Sequence, residues 1–237
     1  GKGIGRGIAL CLAEAGADVA IASRNVADLK AVVREIEQRG RRGLAVPTDV
    51  TASGQLDALG EQVVGILGAP TIWINNAGGL PDATPRYLTR TPEDRWNAQI
   101  DLNLKSVWAG STAAAKLMDE AGGVIINISS RTAFGPQRKN GPYAAAKAAT
   151  NSLTETLSVE LAPKIRVNAV APGPVPTQNF QESTGISEEQ VPEMEKHLGI
   201  PLQRFGKVED IGAAVVFIAS PAASWITGQC LYVTGGM

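Results

Sequence analysis

Short apolar runs alternate with helical patterns along the whole of this 237-residue chain. The runs at residues 17–23, 43–46, 71–74, 123–128, 165–170 and 229–233 are continuous rather than alternating in polarity. A strand that is apolar on both faces is buried on both, so these runs predict a parallel sheet with helices on each side. Between them, apolar residues recur at helical spacing over about 6–16, 26–39, 53–67, 92–118, 143–161 and 208–219. Ser53 and Thr91 stand where helix caps belong, Pro92 at a first helical position, and Gly40 and Gly68 just past helix ends. A shorter helix follows Ser187. No repeat, low-complexity tract or linker interrupts the pattern. Residues 1–237 are therefore read as one α/β domain, a doubly wound parallel sheet.

Charge and cysteine usage narrow the function classes. Lys and Arg number 22 against 23 Asp and Glu, which gives no electrostatic case for nucleic acid or a membrane surface. No apolar run reaches the roughly 18 residues a spanning helix needs. Cys11 and Cys230 sit in apolar surroundings, as small buried residues rather than a disulfide framework. A reducing, cytoplasmic compartment suits them. No metal-ligating cluster stands out.

In doubly wound sheets, ligands bind beyond the carboxyl ends of the strands. The chemically unusual segments fall there: Ser23-Arg24, Asp49-Val50, Asn75-Asn76-Ala77-Gly78-Gly79, Ser129-Ser130 and residues 172–177 each follow a strand. The opening Gly1-Lys2-Gly3-Ile4-Gly5-Arg6-Gly7 runs into a helix, as a phosphate-binding loop would. Such a loop follows a strand, so a strand within roughly ten residues before Gly1 is expected, without which the sheet has a gap at its centre.

Tyr143 and Lys147 are four apart, one turn apart on one helix face, and Ser130 stands thirteen positions before the tyrosine. A phenol titrates near pH 10, so lowering it by about three units takes about 4 kcal/mol. One ammonium at roughly 4 Å supplies that much at an effective dielectric near 20. The pair is expected to form an acid/base centre that neither residue makes alone.

With these segments in order, the chain resembles the short-chain dehydrogenase/reductase family over essentially its whole length. The opening motif of that family, Thr-Gly-x-x-x-Gly-x-Gly, is present only in its last part. Gly1, Gly5 and Gly7 have the right spacing, but the preferred register takes Gly3 and Gly5, which places Ala9, Leu12, Ala13, Gly16 and Ala17 on the helix pattern and leaves Gly7 an ordinary helix residue. Asn75-Asn76-Ala77-Gly78, Asn103, Ser130 with Tyr143 and Lys147, Pro172-Gly173-Pro174-Val175-Pro176-Thr177 and Thr227-Gly228-Gln229 are similar to further family motifs. The final segment is similar to that of 7α-hydroxysteroid dehydrogenases and varies little among 3-oxoacyl carrier-protein reductases.

The resemblance implies an oxidoreductase interconverting a ketone or aldehyde and an alcohol by hydride transfer. Tyr143 would be the proton donor, Lys147 would depress its pKa and bind the nicotinamide ribose, Ser130 would hold the substrate oxygen, and Asn103 would hold a water in a proton relay. The cofactor residues it implies are Lys2, Gly3, Ile4, Gly5, Ser23, Arg24, Asp49, Val50, Asn76, Ala77, Gly78, Tyr143, Lys147, Pro172, Gly173, Val175 and Thr177. Ser23 occupies the usual acidic position, and Arg24 and Lys2 would receive a 2′-phosphate, so NADP is expected with NAD as the alternative. A lid is expected over about 178–205, with Phe180, Met194, His197, Leu198 and Ile200. Leu80, Arg131, Thr132, Phe134 and Phe180 are expected to line the pocket. Trp73, Trp96, Trp108 and Trp225 are read as core or subunit-interface residues, in a homotetramer or homodimer. Two other readings are a 3-oxoacyl thioester reductase, for which the sequence shows no basic patch, and a scaffold that binds nucleotide without turnover.

Overall fold

The computed structural model of the chain describes residues 2–237 except 179, 182–184, 186 and 198. Gly1 of the opening loop and Leu198 of the expected lid lie outside the described residues.

Among the described residues six strands form, all paired in parallel: β1 (Val19–Ser23), β2 (Gly43–Pro47), β3 (Ile72–Asn75), β4 (Gly123–Ile128), β5 (Ile165–Pro172) and β6 (Cys230–Val233). They form two sheets, β1-β2 and β3-β4-β5-β6. A cavity of about 1560 Å³ is lined by Ala20, Ile21 and Ala22 on β1 and by Ile72, Trp73 and Ile74 on β3.

Among the described residues, eight α-helices cover the sheets: α1 (Gly3–Glu14), α2 (Val26–Glu37), α3 (Gln55–Leu67), α4 (Glu93–Ile100), α5 (Ser106–Met118), α6 (Gly141–Glu160), α7 (Val191–His197) and α8 (Val208–Ala219). The core has two parts, as expected of strands buried on both faces. In one, Ile8 and Leu12 of α1, Val32 and Ile36 of α2 and Ile211 and Val215 of α8 pack with Ile126, Ile128 and Val170. In the other, Leu56, Leu59 and Val63 of α3 and Ala113, Ala114 and Met118 of α5 pack with Val46, Trp73, Ile125 and Val167.

Several sequence expectations need correction. α1 begins at Gly3, so Gly3 and Gly5 lie in its first turn rather than in a loop before it. Gly7 is not an ordinary helix residue, because a Cβ there would sit 2.6 Å from Val208 Cβ. Its missing side chain is what lets α1 and α8 approach. Gly54 rather than Ser53 is the N-cap of α3, and Pro92 rather than Thr91 that of α4. The helix expected over 92–118 is interrupted by a π-helical turn, Asp101–Lys105. Such turns concentrate at functional sites, and this one carries Asn103.

Candidate active site

β4 ends at Ile128 and delivers Ser129 and Ser130 to the edge of the sheet. α6 then crosses that edge with Tyr143 in its first turn and Lys147 in its second. Lys147 is 2% exposed, and its Nζ donates to the main-chain oxygen of Ile128 at 2.8 Å. Burial brings its pKa down from 10.5 to about 8. The ammonium lies 5.8 Å from the centroid of the Tyr143 ring. The phenol of Tyr143 is itself pushed above its ordinary value by burial, against which only the Ser130 side chain acts.

This reverses one expectation. The Lys147 ammonium donates to Ile128 O, and burial dominates at the phenol, so Tyr143 is held above its ordinary value and is protonated at neutral pH. A protonated phenol is the form that can donate to a carbonyl oxygen. The Ser130 oxygen accepts from Thr132 N at 3.2 Å and from Thr132 Oγ1 at 2.9 Å. With both lone pairs engaged, its own proton is the one directed at the Tyr143 oxygen.

Asn103 is fully buried, and its side chain is held by protein partners. Its Oδ1 accepts from Gly79 N at 2.9 Å, and its Nδ2 donates to Gly79 O at 2.9 Å and to Gln99 O and Oε1 at 3.1 and 2.9 Å. The Asn103 side chain therefore clamps the loop after β3. Thr150 Oγ1 reaches the main-chain oxygens of Asn103 at 3.2 Å and Ala146 at 3.0 Å, tying the π turn to the catalytic helix. At Gly78 an added Cβ would sit 2.9 Å from Asn103 Oδ1 and 3.2 Å from Lys147 Nζ. The loop thus packs directly against both.

Asn75 turns away from the cleft. It accepts from Trp73 Nε1 at 2.9 Å and donates to Ser111 Oγ at 3.0 Å and to Asn127 Oδ1 at 2.9 Å, and Asn127 donates to Thr154 Oγ1 at 2.9 Å. This buried chain fixes β3, β4, α5 and α6 relative to one another. Neither Asn127 nor Thr154 carried a sequence signal beyond a polar residue within an apolar run or on a helix.

The N-terminus of α1 faces the same cleft. The first-turn amides of Gly3, Ile4 and Gly5 have no acceptor within the helix. A Cβ on Gly5 would lie 2.6 Å from Asn76 Nδ2, and one on Gly3 would lie 3.2 Å from Thr177. That close approach brings Asn76, Thr177 and the helix end together. Pro172, Gly173 and Val175 complete this wall; Gly173 N donates to Val233 O at 2.9 Å. Ala77 and Val50 line the adjoining cavity with Ser23 and Arg24.

At the far end, Ser23 Oγ is buried without a hydrogen-bond partner. Arg24 is exposed and has no ion pair among the described residues. Asp49 is held below the usual carboxylate range, first by Thr51, whose N and Oγ1 donate to it at 3.0 and 2.7 Å, and less by the charge of Arg24. Lys2 is not free as expected: it pairs with Asp28 at 3.5 Å. Free helix amides, glycine-only approaches, an orphaned hydroxyl and an unpaired guanidinium fit a dinucleotide.

The catalytic end is a cavity of about 680 Å³, lined on the substrate side by Leu80, Arg131, Thr132, Phe180 and Met194. Of the expected lining residues, Phe134 lies elsewhere. Phe134 stacks on Tyr232 at 4.1 Å between centroids. His197 is exposed on α7, and Ile200 is buried under Gly235. Trp73 belongs to the core, whereas Trp108 and Trp225 are 53% and 99% exposed.

Residues 1–237 match the family described as "Enoyl-(Acyl carrier protein) reductase". An uncharacterised oxidoreductase of Mycobacterium tuberculosis is 39% identical over 239 residues, spanning 100% of this chain and 89% of that protein. A 3-oxoacyl-[acyl-carrier-protein] reductase of Staphylococcus epidermidis is 36% identical over 239 residues, spanning 100% and 95%. The 7α-hydroxysteroid dehydrogenase of Escherichia coli is 36% identical over 238 residues, spanning 100% and 90%. A solved 7α-hydroxysteroid dehydrogenase, complexed with NADH and 7-oxo glycochenodeoxycholic acid, superposes with a TM-score of 0.90 at 35% identity, covering 99% of this chain and 89% of that one. The chain belongs to the short-chain dehydrogenase/reductase family of oxidoreductases.

Proposed function

We propose that the protein is an NADP(H)-dependent reductase of ketones or aldehydes, or the corresponding alcohol dehydrogenase. The observation that carries this is convergence: Ser130, Tyr143 and Lys147 line one cavity with Gly3, Ile4, Gly5, Asn76 and Gly173. A nicotinamide bound there would supply the hydride. Ser130 would donate its proton to the substrate oxygen and hold it against Tyr143. Tyr143, protonated at neutral pH, would give its proton to that oxygen as charge develops. The spare donors on Lys147 Nζ would hold the ribose hydroxyls, and its charge would support the phenolate left behind. Asn103 would act through position, by fixing Gly78 and Gly79.

The preference for NADP rests on Ser23 and Arg24. An acidic residue after β1 would repel a 2′-phosphate, whereas here the position is a serine followed by an unpaired arginine. NAD is the alternative; the relative cited above was solved with NADH. A homotetramer or homodimer would cover Trp108 on α5, Val159 on α6 and the open edge of β6, all exposed in the single chain. We place the protein in the cytoplasm on its cysteine usage. No helix among the described residues is long and apolar enough to cross a membrane.

The test is a panel of carbonyl compounds supplied with NADPH carrying deuterium at the transferable position. Deuterium on the carbinol carbon of the product is expected. Absence of NADPH oxidation across the panel would leave the nucleotide-binding scaffold as the better account. Reduction of 3-oxoacyl thioesters alone would favour the fatty-acid type of reductase, a second reading that the cationic cavity mouth described next supports.

A further inference from the structure

From residue 121 to residue 154 the chain carries no carboxylate, yet it places Arg131, Arg138, Lys139 and Lys147 there. The whole chain has a formal net charge of −1, so this is a local concentration. In the fold it meets a second basic stretch. Among the described residues, that side of the cavity is lined by Arg86, Arg95, Arg131, Arg138 and Lys139 against one acidic side chain, Asp82. Asp82 is already engaged: Arg86 donates to it at 2.5 Å and Thr84 N at 3.0 Å, and Arg95 lies 3.6 Å away.

The remaining cations have no such counterweight. Arg131 follows Ser130 directly, in a single 3₁₀ turn, and is only partly exposed. Its guanidinium makes no hydrogen bond or ion pair among the described residues, whereas Arg6, Arg39, Arg41, Arg42 and Arg204 each have a carboxylate partner. At the mouth, Arg90, Arg138 and Lys139 crowd one aromatic ring, at 5.9, 5.5 and 5.6 Å from the centroid of Tyr87. Arg138 also donates to the Tyr87 hydroxyl at 2.7 Å. None of these three is paired with a carboxylate among the described residues. Like charges held together in a cleft focus a positive potential, which raises the local concentration of anions. A part-buried guanidinium without a protein partner is completed by a ligand carboxylate or phosphate that accepts its paired N–H groups.

We propose that the carbonyl or alcohol substrate carries an anionic group, a carboxylate or a phosphate, which Arg138 and Lys139 attract at the mouth and Arg131 receives beside Ser130. This rests on the reductase function proposed above, and the test separates the two. NADPH oxidation is followed with 3-, 4- and 5-oxo carboxylates and with their methyl esters. At least one acid is expected to exceed its ester in kcat/KM by about tenfold or more, mainly through KM, as a charge-assisted contact implies. Arg131→Gln brings that ratio close to one, while Arg131→Lys keeps part of it. A second arm compares acetoacetyl coenzyme A with the neutral acetoacetyl thioester of N-acetylcysteamine. An Arg131-dependent preference here and not among the acids assigns the group to a phosphate. Calorimetric titration with benzoate against benzamide reads the site whether or not hydride moves. Benzoate binding that Arg131→Gln removes, without turnover of any compound, leaves the anion site standing and contradicts the reductase. Esters reduced as well as acids, with the same ratio in Arg131→Gln and no advantage for coenzyme A, overturn the anion site and leave the reductase standing.

Discussion

The two ends of the cleft are built differently. Around Tyr143 the key side chains are tied to protein: Lys147 donates to Ile128 O, Asn103 bonds Gly79 and Gln99, and Ser130 accepts twice from Thr132. At the adenosine end Ser23 Oγ is buried with no partner and Arg24 stands unpaired at the surface. The first arrangement presets geometry before anything binds, which is what positioning of a reacting atom requires. The second leaves the ligand to supply the partners, which suits recognition of a charged, variable group. Substitutions at the two ends should therefore fail in different ways, the first in turnover and the second in choice of cofactor.

A large departure is expected from Lys147→Met. Turnover should fall by about 10²–10³, since the charge that supports the tyrosine is gone. Stability should move the other way. Because burial lowers the Lys147 pKa from 10.5 to about 8, the folded chain binds fewer protons than the unfolded chain between those values, and stability from this group rises with pH in that window. Below it the buried charge costs about 3 kcal/mol, partly offset in the variant by the donor lost from Ile128 O. A higher Tm for Lys147→Met at pH 7 checks this, and an unchanged or lower one contradicts it. In the wild-type enzyme the same titration makes reductive kcat decline as pH rises through about 8.

Arg24→Ala comes next and tests the other end. The ratio of NADPH to NADH efficiency should drop by about 10- to 100-fold, the worth of a charge-assisted contact, with kcat on NADH little changed. A ratio that stays put would make Arg24 a solvated surface residue. Asn103→Ala joins the ends, because it frees the loop that carries Asn76, Ala77 and Gly78. Loss of its bonds to Gly79 should reduce kcat/KM about tenfold and stability by about 2 kcal/mol. Steady-state kinetics beside denaturant titration would separate a clamp from a relay: a relay predicts lost turnover with stability intact.

How much of this could be read from sequence follows from the physics involved. The α/β class and the places of all six strands were legible because strands buried on both faces leave continuous apolar runs. The residues Ser130, Tyr143 and Lys147 do meet at one cavity, with Gly3, Gly5 and Asn76 beside them. The π turn at Asp101–Lys105 was not legible, since one inserted residue barely disturbs helical periodicity. Lys147 was expected to lower the Tyr143 pKa from spacing alone; spacing carries neither the pull of Ile128 O nor the desolvation that dominates both groups. Gly7 needed the distance to Val208, and Lys2 the position of Asp28. The cationic mouth escaped notice because its halves, around residues 86–95 and 131–139, are far apart in the chain and unremarkable singly.

The central claim is that Tyr143 delivers the proton during hydride transfer from NADPH to a carbonyl. Its most direct measurement is single-turnover oxidation of enzyme-bound NADPH by the best substrate of the panel, in the wild type and in Tyr143→Phe. The account predicts a fall in the rate of that step by about 10³-fold, the scale of a lost general acid. A Tyr143→Phe enzyme whose rate stays within about tenfold of the wild type would contradict it.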